Sequence, residues 1–507
     1  MISFMNFRMP TDEEIHSAFE KGEAAVRDLF RDVAVQVEEL ARQLAKHGEA
    51  LQAIQARLAK DSRNSGKPPS SDGYSKAQRT QSLRQSGNKP NGGQPGHEGH
   101  TLHASAHPDR TATHEAPTCA HCQAPLADTE ATGYEERQVC DIPAIRLEVT
   151  GYRAEVKRCP HCGGKTTGAF PAGVTQAVQY GPTVKAWAAY FPNQHHIPVE
   201  RTAQILADLV HQPVSEATVL QASEDLSQCI EPSMEAVKKM LRDSEVLHVD
   251  ESGLRVKGKL HWLHVASTDH LTHYTVHTKR GQEAMKAAGI LGEFHGTAVH
   301  DHWKPYFTYA ACRHALCNAH HLRELHFIDQ QYAQAWANDM AELLLEIKAA
   351  VEETLVQAAS LPPEWLEAFE RRYDAIVQEG FEANPLPPPP AHAGMATKRG
   401  RPKHTPPWNL LIRLRDFKAQ VLVFMYDCAV PFDNNQADRD VRMVKVKQKV
   451  SGCFRTLEGA ERFGRIRGYI STARKHAKNV FAAIRDAFGG NPFIPAPDLG
   501  YRPLSSE

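Results

Sequence analysis

The sequence predicts a multidomain, mostly α/β protein in which small modules precede one larger core. Three observations carry that expectation. Apolar residues from Val26 to Leu58 recur at alternating steps of four and three. Two Cys-x-x-Cys pairs flank a segment of alternating apolar residues. Two apolar strands, Glu245–Asp250 and Gly296–Asp301, each end on an aspartate. A chain of 507 residues is long enough for several domains, each with its own core.

Composition excludes some classes. At 41% hydrophobic and 23% charged residues the chain has the balance of a globular protein. No apolar run approaches a bilayer-spanning length, so no membrane partner is expected. Residues Met1 to Glu14 lack the basic start and apolar core of a signal peptide. The expectation is a cytoplasmic protein with reduced thiols. The net charge of −1 conceals segregation: Gln436 to Lys478 holds twelve Lys or Arg against four Asp or Glu, a local +8. Such a stretch suits a polyanion, and Arg439, Arg442, Lys445, Lys447, Lys449 and Arg455 are its candidate DNA contacts. A solvated helix face is the alternative.

The first element is the run Val26, Phe30, Val33, Val37, Leu40, Leu44, His47, Leu51, Ile54 and Leu58. Its 3.5-residue period is that of a coiled-coil seam, interrupted only by His47, and it predicts a homodimer or higher oligomer. The competing reading is an amphipathic helix packed on its own domain. Asp61 to His100 follows, rich in Ser, Gly, Pro, Asn and Gln, and is expected to be disordered or extended when free. Its Lys67, Lys76, Arg79, Arg84 and Lys89 suit either a phosphate track or a plain linker.

Next come Cys119-Ala-His-Cys122 and Cys159-Pro-His-Cys162, separated by 36 residues. Tyr134 to Lys157 alternates as strands do, for example at Ile145, Leu147 and Val149. Two such knuckles across a hairpin place four thiolates around one structural Zn2+, a zinc ribbon. That site is closed, so it organises a module and performs no catalysis. Tyr180 to Cys229 reads as helical, with one helix at Pro198–Leu209, a turn at His211 to Val214, and Ser215 capping a second helix. Two short helices around a tight turn suit either a DNA-binding helix-turn-helix or a plain helical bundle.

The core begins at Glu245-Val-Leu-His-Val-Asp250. Strands at His261–Ser267 and His273–His277 follow, then a helix from Gln282, then Gly296-Thr-Ala-Val-His-Asp301. Carboxylates at the ends of neighbouring strands converge, which is unfavourable unless a cation lies between them. Magnesium suits such a site because it takes one or two carboxylates and leaves room for phosphate oxygens.

One further segment is specific: Val430-Pro-Phe-Asp433-Asn434-Asn435-Gln-Ala-Asp438-Arg439-Asp-Val-Arg442. With it, the chain resembles transposases of the insertion-sequence-66 family, a D-D-E branch with an RNase H-like catalytic core. The resemblance runs through the zipper, Asn64 to Asp72, Gly92 to His97 and the cysteine pairs. It continues through His248-Val-Asp250-Glu-Ser, His300-Asp301-His-Trp-Lys-Pro-Tyr306, Leu316-Cys317-Asn-Ala-His320-His-Leu-Arg323, Lys445 to Arg455 and Ile470 to Lys475. The resemblance implies Asp250 and Asp301 as the first two catalytic acids, with two Mg2+ (or Mn2+) ions shared with a third. The family's third acid is Glu; here Asp438 stands in its place, one methylene shorter. Asp433 is nearby but matches another position. The resemblance also implies cleavage at transposon ends, attack of the freed 3′-hydroxyl on target DNA, and small accessory proteins of the same element. A weakened or inactive DNA-binding relative, or an RNase H-like nuclease without strand transfer, are the alternatives.

Between Asp301 and Asp438 lie 136 residues. His320 to Val356 reads as helix, Pro385 to Gly394 as a proline-rich linker, and Lys398 to Lys403 as a basic cluster. Cys317 and His320 either share a second metal with Cys312 or His314 or, as favoured here, pack within the core. Cys317, His320, Arg323, Asn434 and Asn435 belong to the motifs without an assigned role. The expected organisation is therefore a coiled-coil helix at 1–60, a basic linker at 61–110, the zinc ribbon at 111–170 and a helical DNA-binding segment at 171–240. The RNase H-like core would occupy 241–325 and 421–490, the latter with basic helices, around a helical insertion at 326–420 and before a tail at 491–507.

Overall fold

The computed structural model describes residues 9–59, 102–355, 360–385 and 404–496. The linker as far as residue 101 lies outside the described residues, with the motif segments at 64–72 and 92–97. So do the proline-rich stretch from 386, the basic cluster at 398–403 and the tail beyond 496. The chain divides into two compact units: residues 77–170 with 205–213, and the remainder.

The larger unit starts with two helices where one was expected. Helix α1 (Asp12–Lys21) opens on a capping box, in which the Thr11 hydroxyl accepts the Glu14 N–H and the Glu14 carboxylate accepts the Thr11 N–H. Gly22, at φ 93°, ends it. Helix α2 (Glu23–Ala59) then carries the seam. Its Phe30, Val37, Leu40, Leu44, Leu51, Ile54 and Leu58 are exposed.

In the smaller unit each cysteine pair sits in a tight turn. An antiparallel bridge joins Thr118 to Pro125 around the first. Strands β1 (Val156–Arg158) and β2 (Lys165–Thr167) pair antiparallel around the second. The expected alternating strands from Tyr134 reduce to β1. Alternation needs a covered face to become a ladder, and here Val139 is 92% and Val149 89% exposed.

Four helices lead into the core: α3 (Pro182–Gln194), α4 (Val199–Val210), α5 (Glu216–Cys229) and α6 (Glu231–Arg242). Ser215 caps α5 as expected, its hydroxyl accepting the Thr218 N–H at 3.1 Å. The sheet comprises β3 (Val246–Val256), β4 (Lys259–Ser267), β5 (Thr272–His277), β6 (Thr297–His300) and β7 (Arg313–Leu316), with α7 (Gln282–Ala288) between β5 and β6. Its order is β5-β4-β3-β6-β7; β3, β4 and β5 are antiparallel neighbours, while β3, β6 and β7 run parallel. Gly296 permits the parallel start, since a Cβ there would meet the Glu245 carbonyl oxygen at 2.4 Å. Strand β3 corrects the expectation that it stops at Asp250, because it continues six residues further along β4.

Between β7 and the last helices the described chain is helical: α8 (Asn318–Tyr332), α9 (Ala335–Thr354), α10 (Pro363–Ala383), α11 (Pro406–Asp416) and α12 (Lys418–Tyr426). The single helix expected from His320 is broken at Ala333, which has left-handed φ 49°. These helices bury their own core around Trp336, Met340, Leu344, Tyr373 and Leu411. The chain ends in α13 (Asn435–Ser451), α14 (Leu457–Lys475) and α15 (Val480–Phe488). A second core packs α13 and α14 on the sheet through Leu254, Val265, Tyr274, Val441 and Phe463. Among the described residues, no helix is long and apolar enough to cross a membrane.

Candidate functional site

Strands β3 and β6 pair from Val246↔Thr297 to His248↔Val299. Asp250 and Asp301 each follow that last rung by two residues, so the parallel register itself sets them side by side. Asp250 shares the His248–Leu254 face of β3, against which α13 packs. Asp438 lies in the first turn of α13. Its only near cation among the described ion pairs is Arg323 of α8, 3.8 Å from Oδ2.

The acids act on one another. Burial, followed by the charges of Glu251, Asp438 and Asp301, pushes the Asp250 carboxyl well above the ordinary aspartate range. Burial, then Glu251, raises Asp301 to about 7, although its Oδ1 accepts the Trp303 N–H at 2.9 Å. Asp433 is occupied otherwise: Oδ1 accepts the Asn435 N–H at 2.9 Å and Oδ2 accepts the Asn435 side-chain amide at 2.5 Å. It turns the chain into α13.

Asn434, just before α13, is buried, and both ends of its side-chain amide are hydrogen-bonded. Its Nδ2 donates to the Val249 carbonyl at 2.9 Å, its Oδ1 meets His248 Nδ1 at 2.8 Å, and its N–H donates to Cys317 Sγ at 3.1 Å. Cys317 in turn donates its N–H to the His300 carbonyl at 2.9 Å. Burial pushes the Cys317 thiol up to about 12. Of the remaining metal candidates, His314 Nδ1 meets His300 Nε2 at 2.9 Å and Cys312 Sγ donates to the Tyr309 carbonyl at 3.3 Å, whereas the buried Nδ1 of His320 has no hydrogen-bond partner among the described residues.

Five further residues adjoin the acids. Glu251 is buried and receives Arg280 Nε at 2.8 Å and the Tyr306 hydroxyl at 2.5 Å. The Arg280 guanidinium lies between the rings of Trp262 and Trp303, 4.9 and 4.2 Å from their centroids. Glu251, Trp303 and Tyr306 sit inside motifs legible in the sequence. Arg280 had no local signal, because its partner is 29 residues away.

Of the six candidate DNA contacts, Arg439, Arg442, Lys449 and Arg455 are exposed. Lys445 instead donates to the Gly253 carbonyl at 2.7 Å, and Lys447 donates to the Gly452 carbonyl at 3.0 Å while lying over the Phe454 ring.

The two cysteine knuckles share one backbone geometry. Cys119 N–H donates to the Ala124 carbonyl at 2.8 Å and Gln123 N–H to the Cys119 carbonyl at 2.9 Å; Cys159 with Gly164 and Gly163 with Cys159 repeat this at 2.8 Å each. Gln123 and Gly163 hold the matching positive φ values, 61° and 69°. Backbone N–H groups of Cys122 and His121 hold the Cys119 thiol below its usual range, and those of Cys162 and His161 do the same for Cys159. Among the described residues, no three His, Cys, Asp or Glu stand in a metal-holding cluster.

Comparison with known families gives two matches. A profile described as a family of unknown function matches residues 10–103. No curated protein matches the chain. The profile of the transposase IS66 family matches residues 177–462, more than half of the chain, and spans the sheet, the helical insertion and the acids. Its members act in DNA transposition, and the chain belongs to the IS66 family of transposases.

Proposed function

We propose that this chain is the D-D-E/D-type transposase of an insertion sequence, with Asp250, Asp301 and Asp438 as its catalytic acids in an RNase H-like core. The observation that carries this reading is the common offset of Asp250 and Asp301 past the last β3–β6 rung, with Asp438 near enough to raise both carboxyls. A sheet of three antiparallel strands extended by two parallel ones supports the RNase H-like assignment.

The residues fit a divalent-cation site. Half-buried like charges without enough counter-charge are unfavourable, and a cation relieves them. Magnesium needs only one or two carboxylates per ion, so two ions do not require three protein ligands at one point. Mg2+ or Mn2+ there would activate the attacking oxygen and stabilise the leaving one during strand cleavage and transfer. The protein's own contribution is to hold the three acids on rigid elements: Asp250 within β3, Asp301 just past β6 and Asp438 in the first turn of α13. Arg323 supplies a cation beside Asp438, and Arg439, Arg442, Lys449 and Arg455 offer phosphate contacts. The test is metal-dependent cleavage and joining of DNA carrying the element's ends.

The other modules extend this reading. Within this reading Cys119, Cys122, Cys159 and Cys162 hold one structural Zn2+: the matched knuckles and N–H-stabilised thiols suit thiolate ligands, and zinc binding would draw together the two pairs, which do not form one cluster here. The exposed seam of α2 suits a second copy of the chain. Transposon ends and target DNA are the substrates, and small proteins of the same element are further partners.

A further inference from the structure

The motifs around Cys317 and Asn434 have no assigned chemistry, yet their hydrogen bonds join all three acid-bearing segments. Starting from Asp301, the preceding residue's carbonyl, that of His300, accepts the Cys317 N–H at 2.9 Å. Cys317 Sγ accepts the Asn434 N–H at 3.1 Å. Asn434 Nδ2 reaches the Val249 carbonyl, the peptide that enters Asp250, and Asn434 Oδ1 meets His248. The Asn434 carbonyl accepts the Asp438 N–H at 3.2 Å. One unbroken path therefore runs from Asp301 to Asp250 and Asp438.

The geometry points to Cys317 and Asn434 as positioning residues that set the spacing of Asp438 against Asp250 and Asp301. This rests on those three acids being the metal-binding set. Each partner is chemically determined. An amide oxygen only accepts, so His248 donates from Nδ1. A thiol fits the Asn434 N–H because sulfur is large enough to reach it from the start of α8 while the Cys317 N–H closes the end of the β6–β7 ladder. Asn318 reinforces the junction: its N–H donates to the Phe432 carbonyl at 3.0 Å and its Nδ2 to the Val421 carbonyl at 3.0 Å. Removing the tether leaves every acid present but frees α13 to move relative to β3 and β6. Supporting partners behind metal ligands commonly change metal affinity or activity by about 10–100-fold.

The experiment compares the full chain with Asn434→Ala, Cys317→Ala and the milder Cys317→Ser. For each, the half-saturating Mg2+ concentration for end cleavage is measured, with DNA binding and the Mg2+-induced shift in melting temperature. The expected result is a rise of about tenfold or more in half-saturating Mg2+ for both alanine variants. Partial rescue by Mn2+, a smaller effect for Cys317→Ser and intact DNA binding should accompany it. A lowered melting temperature with unchanged Mg2+ dependence would assign these residues to stability alone and overturn the proposal. Hydrogen exchange decides the tether without reference to metal. Asn434→Ala must loosen 246–251, 297–303 and 435–440 together, whereas loosening confined to 435–440 contradicts it. Absence of any Mg2+ response in the unaltered protein would instead remove the metal reading of the acids, leaving the exchange result to judge the tether.

Discussion

Glu251 and Arg280 form a buried ion pair beside the acids, with Arg280 Nε 2.8 Å from Glu251 Oε1. The Glu251 side chain is 1% exposed and that of Arg280 24%. The pair explains how β3 continues past Asp250 with a second acid in its interior. Glu251 points to the opposite face of the sheet from Asp250, where Arg280 and Tyr306 satisfy it.

Arg280→Ala should therefore destabilise strongly, because it leaves Glu251 buried and charged. Loss of one partner of such a pair costs about 3–5 kcal/mol. Glu251→Gln, which keeps acceptors for both partners, should cost less. Denaturant titration followed by Trp fluorescence checks the order; equal stability of Arg280→Ala and the unaltered protein would show that the pair is not holding the strand.

Asp301 predicts a pH dependence. Its folded-state value of about 7 lies above the ordinary aspartate value. Between about pH 4 and 7 the folded protein keeps a proton the unfolded chain has lost, so this group's contribution to stability falls as pH rises. In EDTA, Asp301→Asn should flatten that decline and raise the melting temperature at pH 8 by several degrees. Adding Mg2+ should stabilise the unaltered protein and not the variant. Parallel pH profiles for the two proteins would contradict the assignment.

Much of this was legible because it is local. The strands before Asp250 and Asp301, the helix from Gln282 and the Ser215 cap follow from apolar runs and end signals within a few residues. What escaped was non-local. The continuation of β3 follows its pairing with β4, the partner of its interior Glu251 is Arg280, 29 residues away, and β7 has only four residues, Arg313–Leu316. The strands foreseen from Tyr134 had the right alternation but no surface to cover them. At the site, residue types in the motifs were readable, whereas the path from Cys317 through Asn434 to His248 exists only once β3, α8 and α13 meet.

Zinc is tested in the knuckles. Purified without chelator, the protein should contain one Zn2+ per chain, and Cys159→Ser should lose it and become protease-sensitive within residues 111–170 while Mg2+-dependent stability of the core persists. Metal analysis without zinc would count against the four-thiolate site.

The α2 seam predicts self-association. Deleting residues 26–58 should lower the number of chains per particle measured by light scattering, since Phe30, Leu44, Ile54 and Leu58 are otherwise left exposed. An unchanged number of chains per particle would mean that oligomers, where they form, use another surface.

The central claim is the identity of the acids, and end cleavage in Mg2+ tests it most directly. DNA carrying the element's ends is incubated with the unaltered protein and with Asp250→Asn, Asp301→Asn, Asp438→Asn, Asp433→Asn and Asp438→Glu. Each of the first three variants should lose about a hundredfold or more in cleavage while still binding DNA, because phosphate contacts by Lys and Arg dominate affinity. Asp433→Asn should remain active, since its carboxylate only turns the chain into α13. Asp438→Glu reads the shorter acid: higher activity means this copy is weakened, lower activity means the site is built around Asp. Full activity of Asp438→Asn together with a dead Asp433→Asn would contradict the account.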